Sequence, residues 1–218
     1  MKELYKQIAE IGKQFSAYKI VLYGSRARGD NRERSDIDIA VFGMPKENQA
    51  AFADKIEQLP TLLDFDIAFI SDNTNDKFLN NIIKDGIILM SKLEEKLSKF
   101  SEAVKRLEEA VSDYNSYNVS SIRDGVIQRF EFCTELAWKA AREYLIEQGY
   151  TDINSPKAVM KQAYADNLIN DEQLWIELLN ARNQTSHIYD EETASDIFEK
   201  IRNKYINQFN ELLSVLTK

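Results

Sequence analysis

Gly24-Ser25-Arg26-Ala27-Arg28-Gly29-Asp30-Asn31-Arg32-Glu33-Arg34-Ser35-Asp36-Ile37-Asp38-Ile39-Ala40-Val41 is the stretch from which the fold of this chain can be read. It reads as a strand ending at Gly-Ser, an arginine-rich excursion, and a second strand. Alternation along that second strand puts Asp36 and Asp38 on one face and turns Ile37 and Ile39 to a core. Two carboxylates so close repel each other unless a cation sits between them, and a donor set made only of oxygen suits Mg²⁺ or Mn²⁺. A glycine followed by a hydroxyl, with backbone N–H groups at a helix start, cradles phosphate. The combination predicts a site for a nucleoside triphosphate with a divalent metal. Gly24, Ser25, Arg26 and Arg28 would take the phosphates, and Asp36 and Asp38 the metal.

Working outward, apolar residues at Leu4, Ile8, Ile11 and Phe15 have a helical period, and Lys19–Tyr23 is a β-rich run. Beyond the strand 36–42, Gly43 and Pro45 mark a turn, 47–58 is helical, and Pro60 ends that helix. Leu62–Ile70 is expected as a third strand, with Asp64 and Asp66 on one face. Helix 76–84 and a short strand 87–89 complete the first part. Residues 1–91 are therefore expected to form a small α+β domain, a mixed sheet with helices. A two-metal site, with ions about 3.5–4 Å apart, needs a third carboxylate; Asp66 is expected to supply it, with Asp64 as the alternative.

From Leu93 the period becomes helical throughout. Leu93, Leu97, Phe100, Val104, Leu107 and Val111 form one stripe, and Val126, Phe130, Cys133, Ala137, Ala140 and Tyr144 a second. Ser155-Pro156 is a cap followed by proline at the first helical position, a fourth helix starts near Asn170-Asp171, and a fifth covers 191–216. Residues 92–218 are expected to form an all-α, up-and-down bundle. Trp138, Trp175 and Cys133 are read as core.

The 218 residues carry a net charge of −8, with 12 Lys+Arg against 14 Asp+Glu in residues 1–90 and 16 against 22 beyond. That balance argues against a broad nucleic-acid groove, while the cluster Arg26, Arg28, Arg32 and Arg34 suits a polyphosphate. No apolar run approaches the ~20 residues of a membrane span. The single cysteine excludes an internal disulfide framework and fits a cytoplasmic protein. The only histidine is His187, so one chain cannot build a histidine-rich metal site.

Gly24-Ser25, ten residues, then Asp36-Ile37-Asp38 resembles the nucleotidyltransferase motif of the polymerase-β superfamily, and the small size is similar to its minimal (MNT) members. Asp66-Ile67-Ala68-Phe69 fits the superfamily's third-aspartate strand better than Asp64 does. In the second part, Arg182-Asn183-Gln184-Thr185-Ser186-His187-Ile188-Tyr189 resembles the Arg-x4-His-x-Tyr mark of the HEPN family, in the form carried by HepT-type toxins paired with MNT antitoxins. Residues 127–132, 135–139, Ser155-Pro156 and Trp175 agree with the nucleotidyltransferase substrate-binding branch of that family.

The resemblance implies a homodimer through the helical domain and a metal-independent ribonuclease site built from Arg182, Asn183 and His187. It also implies that Tyr189 accepts AMP from ATP and so silences that site. The two partners are usually separate chains, whereas here they are fused. The expectation is an adenylyltransferase acting on Tyr189. The alternatives are transfer to a small acceptor held by the helical domain, and a ribonuclease toxin, with tRNA among its substrates, that carries its own antidote.

Overall fold

Alternating apolar residues in the first ninety positions close a four-stranded mixed sheet of order β3-β2-β1-β4. The computed structural model describes residues 1–71, 73–150, 152–185 and 191–217, so His187 and Tyr189 lie outside the described residues. Internal contacts divide the chain into two units, Met1–Lys92 and Leu93–Lys218.

In the first unit the order is α1 (Lys2–Gln14), β1 (Lys19–Leu22), α2 (Gly24–Arg28), β2 (Ile37–Phe42), α3 (Lys46–Glu57), β3 (Phe65–Ile70), α4 (Asp76–Asp85) and β4 (Ile87–Ser91). β1 runs antiparallel to β2 and β4, whereas β2 and β3 are parallel. A parallel pair needs a crossover, and α3 provides it. Ile20, Leu22, Ile37, Ile39 and Val41 cover one face of the sheet and pack with Ile8 and Ile11 of α1 and Phe52 and Ile56 of α3. On the opposite face Val21 and Ala40 pack with Ile82 of α4. Asp38 alternates with Ile37 and Ile39, which places it on this second face with Ala40.

β3 starts three residues later than the hydrophobic pattern predicts. Phe65 is in register with Ile37, the first residue of β2, and Ile37 N–H donates to Asp64 O at 2.9 Å as the last rung. Upstream no strand lies beside Leu62, which is fully exposed, and Leu63 N–H turns back to Thr61 Oγ1 at 3.2 Å. A strand extends only as far as its partner does.

The second unit comprises α5 (Lys92–Tyr117), α6 (Ser120–Glu147), α7 (Pro156–Ala165), α8 (Glu172–Thr185), α9 (Glu191–Lys200), a π-helical turn (Ile201–Tyr205) and α10 (Ile206–Leu216). Ring contacts fix the directions. Phe100 meets Phe209 and Tyr114 meets Phe198, so α5 is antiparallel to α9–α10. Trp175 packs on Phe209 at 5.8 Å while Glu177 accepts from Tyr205 Oη, so α8 also opposes that helix. The long helices α5, α6, α8 and α9–α10 thus alternate up and down, with α7 inserted before α8. Phe130 of α6 stacks on Tyr205 at 5.4 Å across the centre. As expected from the cap, Ser155 Oγ accepts from Ala158 N–H at 3.2 Å and Pro156 opens α7.

The π-turn has a readable cause. The buried stripe Ile197, Ile201, Tyr205, Phe209 advances four residues per turn, against 3.6 in an α-helix. Three such turns outrun the α-helix by about one residue, and one π-turn absorbs that excess and keeps the stripe on the core. Among the described residues no helix is long and apolar enough to cross a membrane.

Candidate nucleotidyl-transfer and helical-domain sites

The first site lies where β1 passes into α2. Tyr23 caps α2 in an extended conformation, and its N–H donates to Asp38 O at 2.9 Å, continuing the β1–β2 ladder. Gly24 follows with φ +71°. A Cβ at Gly24 would sit 2.1 Å from Asp38 Oδ2, so the carboxylate approaches this backbone as closely as only glycine permits. Ser25 is the next residue, half-buried. α2 has only five residues, so a phosphate placed here would be held by local N–H groups and the Ser25 hydroxyl and not by a long helix dipole.

The aspartates occupy three different positions. Asp38 and Asp66 are register partners on the parallel strands β2 and β3, which lie about 4.8 Å apart. Asp36 immediately precedes β2 and is exposed. Burial, then the charges of Asp66 and Asp36, push the Asp38 carboxyl above its ordinary range, while Arg28 and Arg26 act in the other direction. Asp64 precedes β3, and the charge felt by Asp38 is that of Asp66. The Tyr23 phenol is pushed up to about 12 by burial and by Asp66 and Asp38. An all-oxygen donor set under mutual repulsion fits a hard divalent cation. Among the described residues, however, no three His, Cys, Asp or Glu side chains are gathered as a ready cage.

The two arginines part company. Arg26 Nε donates to Ser35 O at 2.9 Å and Asp36 O at 3.0 Å, and its Nη2 to Ser35 O at 2.6 Å and Glu33 O at 3.2 Å. The guanidinium expected at the phosphates therefore braces the loop that delivers Asp36. Arg28 is exposed, touches Asp30 at 3.2 Å, and lines a cavity of about 460 Å³ with Tyr23, Gly24, Phe78, Asn81 and Asp85. Tyr23 and Phe78 meet edge to face at 5.4 Å in its wall. The residues Phe78, Asn81 and Asp85 from α4 are absent from the sequence reading. Their i, i+3, i+7 spacing marks one helix face, but only the fold brings that face to Gly24.

The second site begins at the end of α8. Arg182 is partly buried, and its Nε is enclosed with no hydrogen-bond partner among the described residues. The Thr185 hydroxyl lies within hydrogen-bonding reach of Glu131 on α6 and of Arg182 O. On the far side of residues 186–190, Glu191 opens α9 and is gripped by Arg123 of α6, whose Nη2 donates to Oε2 at 3.0 Å. Arg123 is 7% exposed, and the Glu191 contact raises its pKa further. Both flanks of the stretch holding His187 and Tyr189 are thus tied to one helix, by residues eight positions apart on α6, about 12 Å along its axis. Asn183 and Arg182 line a cavity with Trp138, whose Nε1 donates to Glu135 Oε2 at 3.0 Å. Trp175 is fully buried, as expected of core, but Trp138 is only partly buried and faces this cavity.

Comparison with known proteins defines the class. Residues 95–218, more than half of the chain, match the family described as nucleotidyltransferase substrate binding protein like. Residues 6–95 match the polymerase beta, nucleotidyltransferase family. The chain belongs to the nucleotidyltransferase substrate binding protein like family, with a polymerase-β-type nucleotidyltransferase domain ahead of it.

Among its relatives is a Haemophilus influenzae protein named probable ribonuclease HepT, 33% identical over 101 residues that span 42% of this chain and 69% of the relative. A Thermus thermophilus crystal structure is 30% identical with a TM-score of 0.51, covering 55% of this chain and 99% of its own. A second Haemophilus influenzae structure, described as revealing the fold of a substrate binding domain of a nucleotidyltransferase, is 27% identical with a TM-score of 0.52 over 56% and 99%.

Proposed function

We propose that the first domain transfers AMP from ATP to the hydroxyl of Tyr189 in the helical domain, so that one chain carries both modifier and target. The observation that carries this reading is the approach of Asp38 to Gly24, beside its register partner Asp66. It places one carboxylate against the backbone expected to hold the triphosphate and a second beside it on the next strand. The phenolic oxygen attacks the α-phosphorus, the bond from that phosphorus to the bridging oxygen breaks, and pyrophosphate leaves. Asp66 takes the phenolic proton, and in-line placement with charge compensation supplies most of the catalysis. Gly24 and Ser25 orient the phosphates, Arg28 adds positive charge, and Arg26 acts indirectly by positioning Asp36. Asp36, Asp38 and Asp66 would hold Mg²⁺ or Mn²⁺, which neutralises phosphate charge when bound.

Intact-mass and peptide mass spectrometry after incubation with ATP and Mg²⁺, on protein pretreated with phosphodiesterase, tests the reading. One AMP on the peptide holding Tyr189, absent in Tyr189→Phe and in Asp38→Asn, is the expected result. An unmodified wild type, or label that persists in Asp38→Asn, rejects it.

The second reading is supported by likeness to the probable ribonuclease HepT: Arg182, Asn183 and His187 cleave RNA in a dimer until Tyr189 is modified. Cleavage of tRNA by an Asp36→Ala, Asp38→Ala chain, lost on adding His187→Ala, is its expected signature. Silence in that assay would leave the helical domain as the modified scaffold alone.

A further inference from the structure

Helix α4 packs on the sheet face that carries Asp38. Its Ile82 is 1% exposed and meets Val21 and Ala40 on that face. Gly86 follows the helix and lets its end rest directly on β1, since a Cβ there would come 2.2 Å from Ile82 O and 2.5 Å from Val21 Cγ1. With Ile82 and Gly86 held against the sheet, another face of α4 is turned toward α2. Phe78, Asn81 and Asp85 of that face enclose the cavity of about 460 Å³ with Tyr23, Gly24 and Arg28. This volume is within the range of small-ligand pockets.

The cavity joins surfaces of different chemistry. Gly24 and Arg28 belong to the backbone and charge expected at the triphosphate. Tyr23 and Phe78, edge to face at 5.4 Å, supply an aromatic wall, against which any base can pack. Asp85 contributes a negative charge that a polyphosphate alone would repel, so it calls for a ligand that also brings a hydrogen-bond donor. A carboxylate only accepts, whereas the Asn81 amide both donates and accepts. Among the described residues neither Asn81 nor Asp85 has a hydrogen bond or ion pair through its side chain, so both are free to meet such a ligand.

We propose that Asn81 and Asp85 select the base of the nucleoside triphosphate and admit adenine through its 6-amino group. The proposal rests on the nucleotidyl-transfer reading and adds to it the residues that choose the donor nucleotide. Adenine presents an amino donor at position 6 beside the N7 acceptor, an edge that an amide meets with two hydrogen bonds. Asn81 fills that role, and the Asp85 carboxylate accepts the second amino hydrogen. Guanine and hypoxanthine carry an oxygen at position 6, which would face Asp85 acceptor to acceptor. Phe78 and Tyr23 flank the base, while Arg28, Gly24 and Ser25 keep the phosphates.

The experiment uses full-length Tyr189→Phe protein, which lacks the proposed acceptor and leaves bound nucleotide intact. It is titrated calorimetrically, in Mg²⁺, with ATP, ITP, GTP and inorganic tripolyphosphate. ATP should bind about tenfold more tightly than ITP or GTP, as expected of one hydrogen bond to a charged group. Asp85→Asn offers an N–H to the oxygen at position 6 and should bring ITP and GTP within about twofold of ATP. Asn81→Ala should weaken ATP about tenfold. Both residues are exposed, and both variants should bind tripolyphosphate as the parent does. Equal affinity for the three nucleotides, a preference that survives Asp85→Asn, or a parallel loss of tripolyphosphate overturns the proposal. Absence of all nucleotide binding overturns both it and the transfer reading. Selective ATP binding in a chain whose wild type gains no AMP on Tyr189 upholds the base selection and rejects only the acceptor. AMP on Tyr189 without base preference does the reverse.

Discussion

The Asp38 carboxylate lies against Gly24 so closely that a Cβ there would come 2.1 Å from Oδ2. The contact couples the two halves of the motif, the backbone proposed to meet phosphate and the acid proposed to meet metal. Gly24→Ala must therefore displace the acid or the loop, and its φ of +71° adds backbone strain. AMP transfer, measured by mass spectrometry, should slow by about a hundredfold or more, as for a misplacement near 1 Å. Gly29 also has a positive φ, +78°, but an added Cβ meets nothing within 4 Å. Gly29→Ala should cost about 1–2 kcal/mol of stability and leave the transfer rate close to wild type.

Asp38 couples stability to pH. Its folded pKa is raised, so the folded state binds the proton more tightly than the unfolded chain does. The favourable contribution is full below the unfolded carboxyl pKa, near 3.9, and is lost as pH rises through the folded value. Asp38→Asn should accordingly raise Tm at neutral pH, and the increment should vanish in acid. Calorimetry across that window checks the sign, and saturating Mg²⁺ should narrow the difference at neutral pH.

Arg26 predicts a loop phenotype. Its four hydrogen bonds reach Glu33, Ser35 and Asp36, and the exposed Arg32 and Arg34 offer trypsin two sites in the same loop. Arg26→Ala should accelerate cleavage after Arg32 and Arg34 about tenfold and slow AMP transfer by a similar factor, since local opening follows the bonds that hold it closed. Arg26→Lys cannot make the forked contact and should behave as an intermediate.

The bundle core has a centre at Phe209, fully buried and in ring contact with Phe100, Phe130 and Trp175. Phe209→Ala should destabilise the protein by about 3–5 kcal/mol, measured by denaturant titration, whereas Phe209→Leu should cost much less. Cys133 is in the same core, and burial pushes its thiol up to about 12. Iodoacetamide at pH 8 should leave it unmodified in native protein and label it once denaturant opens the bundle.

Much of this architecture is legible in one dimension because its causes are local. The alternation that buries Ile37 and Ile39, the Ser155-Pro156 cap and the stripes of α5 and α6 depend on residues within a turn or a strand of one another. The motif from Gly24 to Asp38 is of the same kind, whereas the single helix expected over 191–216 is interrupted by the π-turn at Ile201–Tyr205. What tertiary structure decided is pairing across distance. Parallel register, and not the hydrophobic run, starts β3 at Phe65 and makes Asp66 the neighbour of Asp38. The folded loop takes the Arg26 guanidinium for Glu33, Ser35 and Asp36. Chain packing brings Phe78 and Asn81 to Gly24, and Arg182 to Trp138. Periodicity assigns a residue to a face, but which face it meets depends on contacts between segments tens of residues apart.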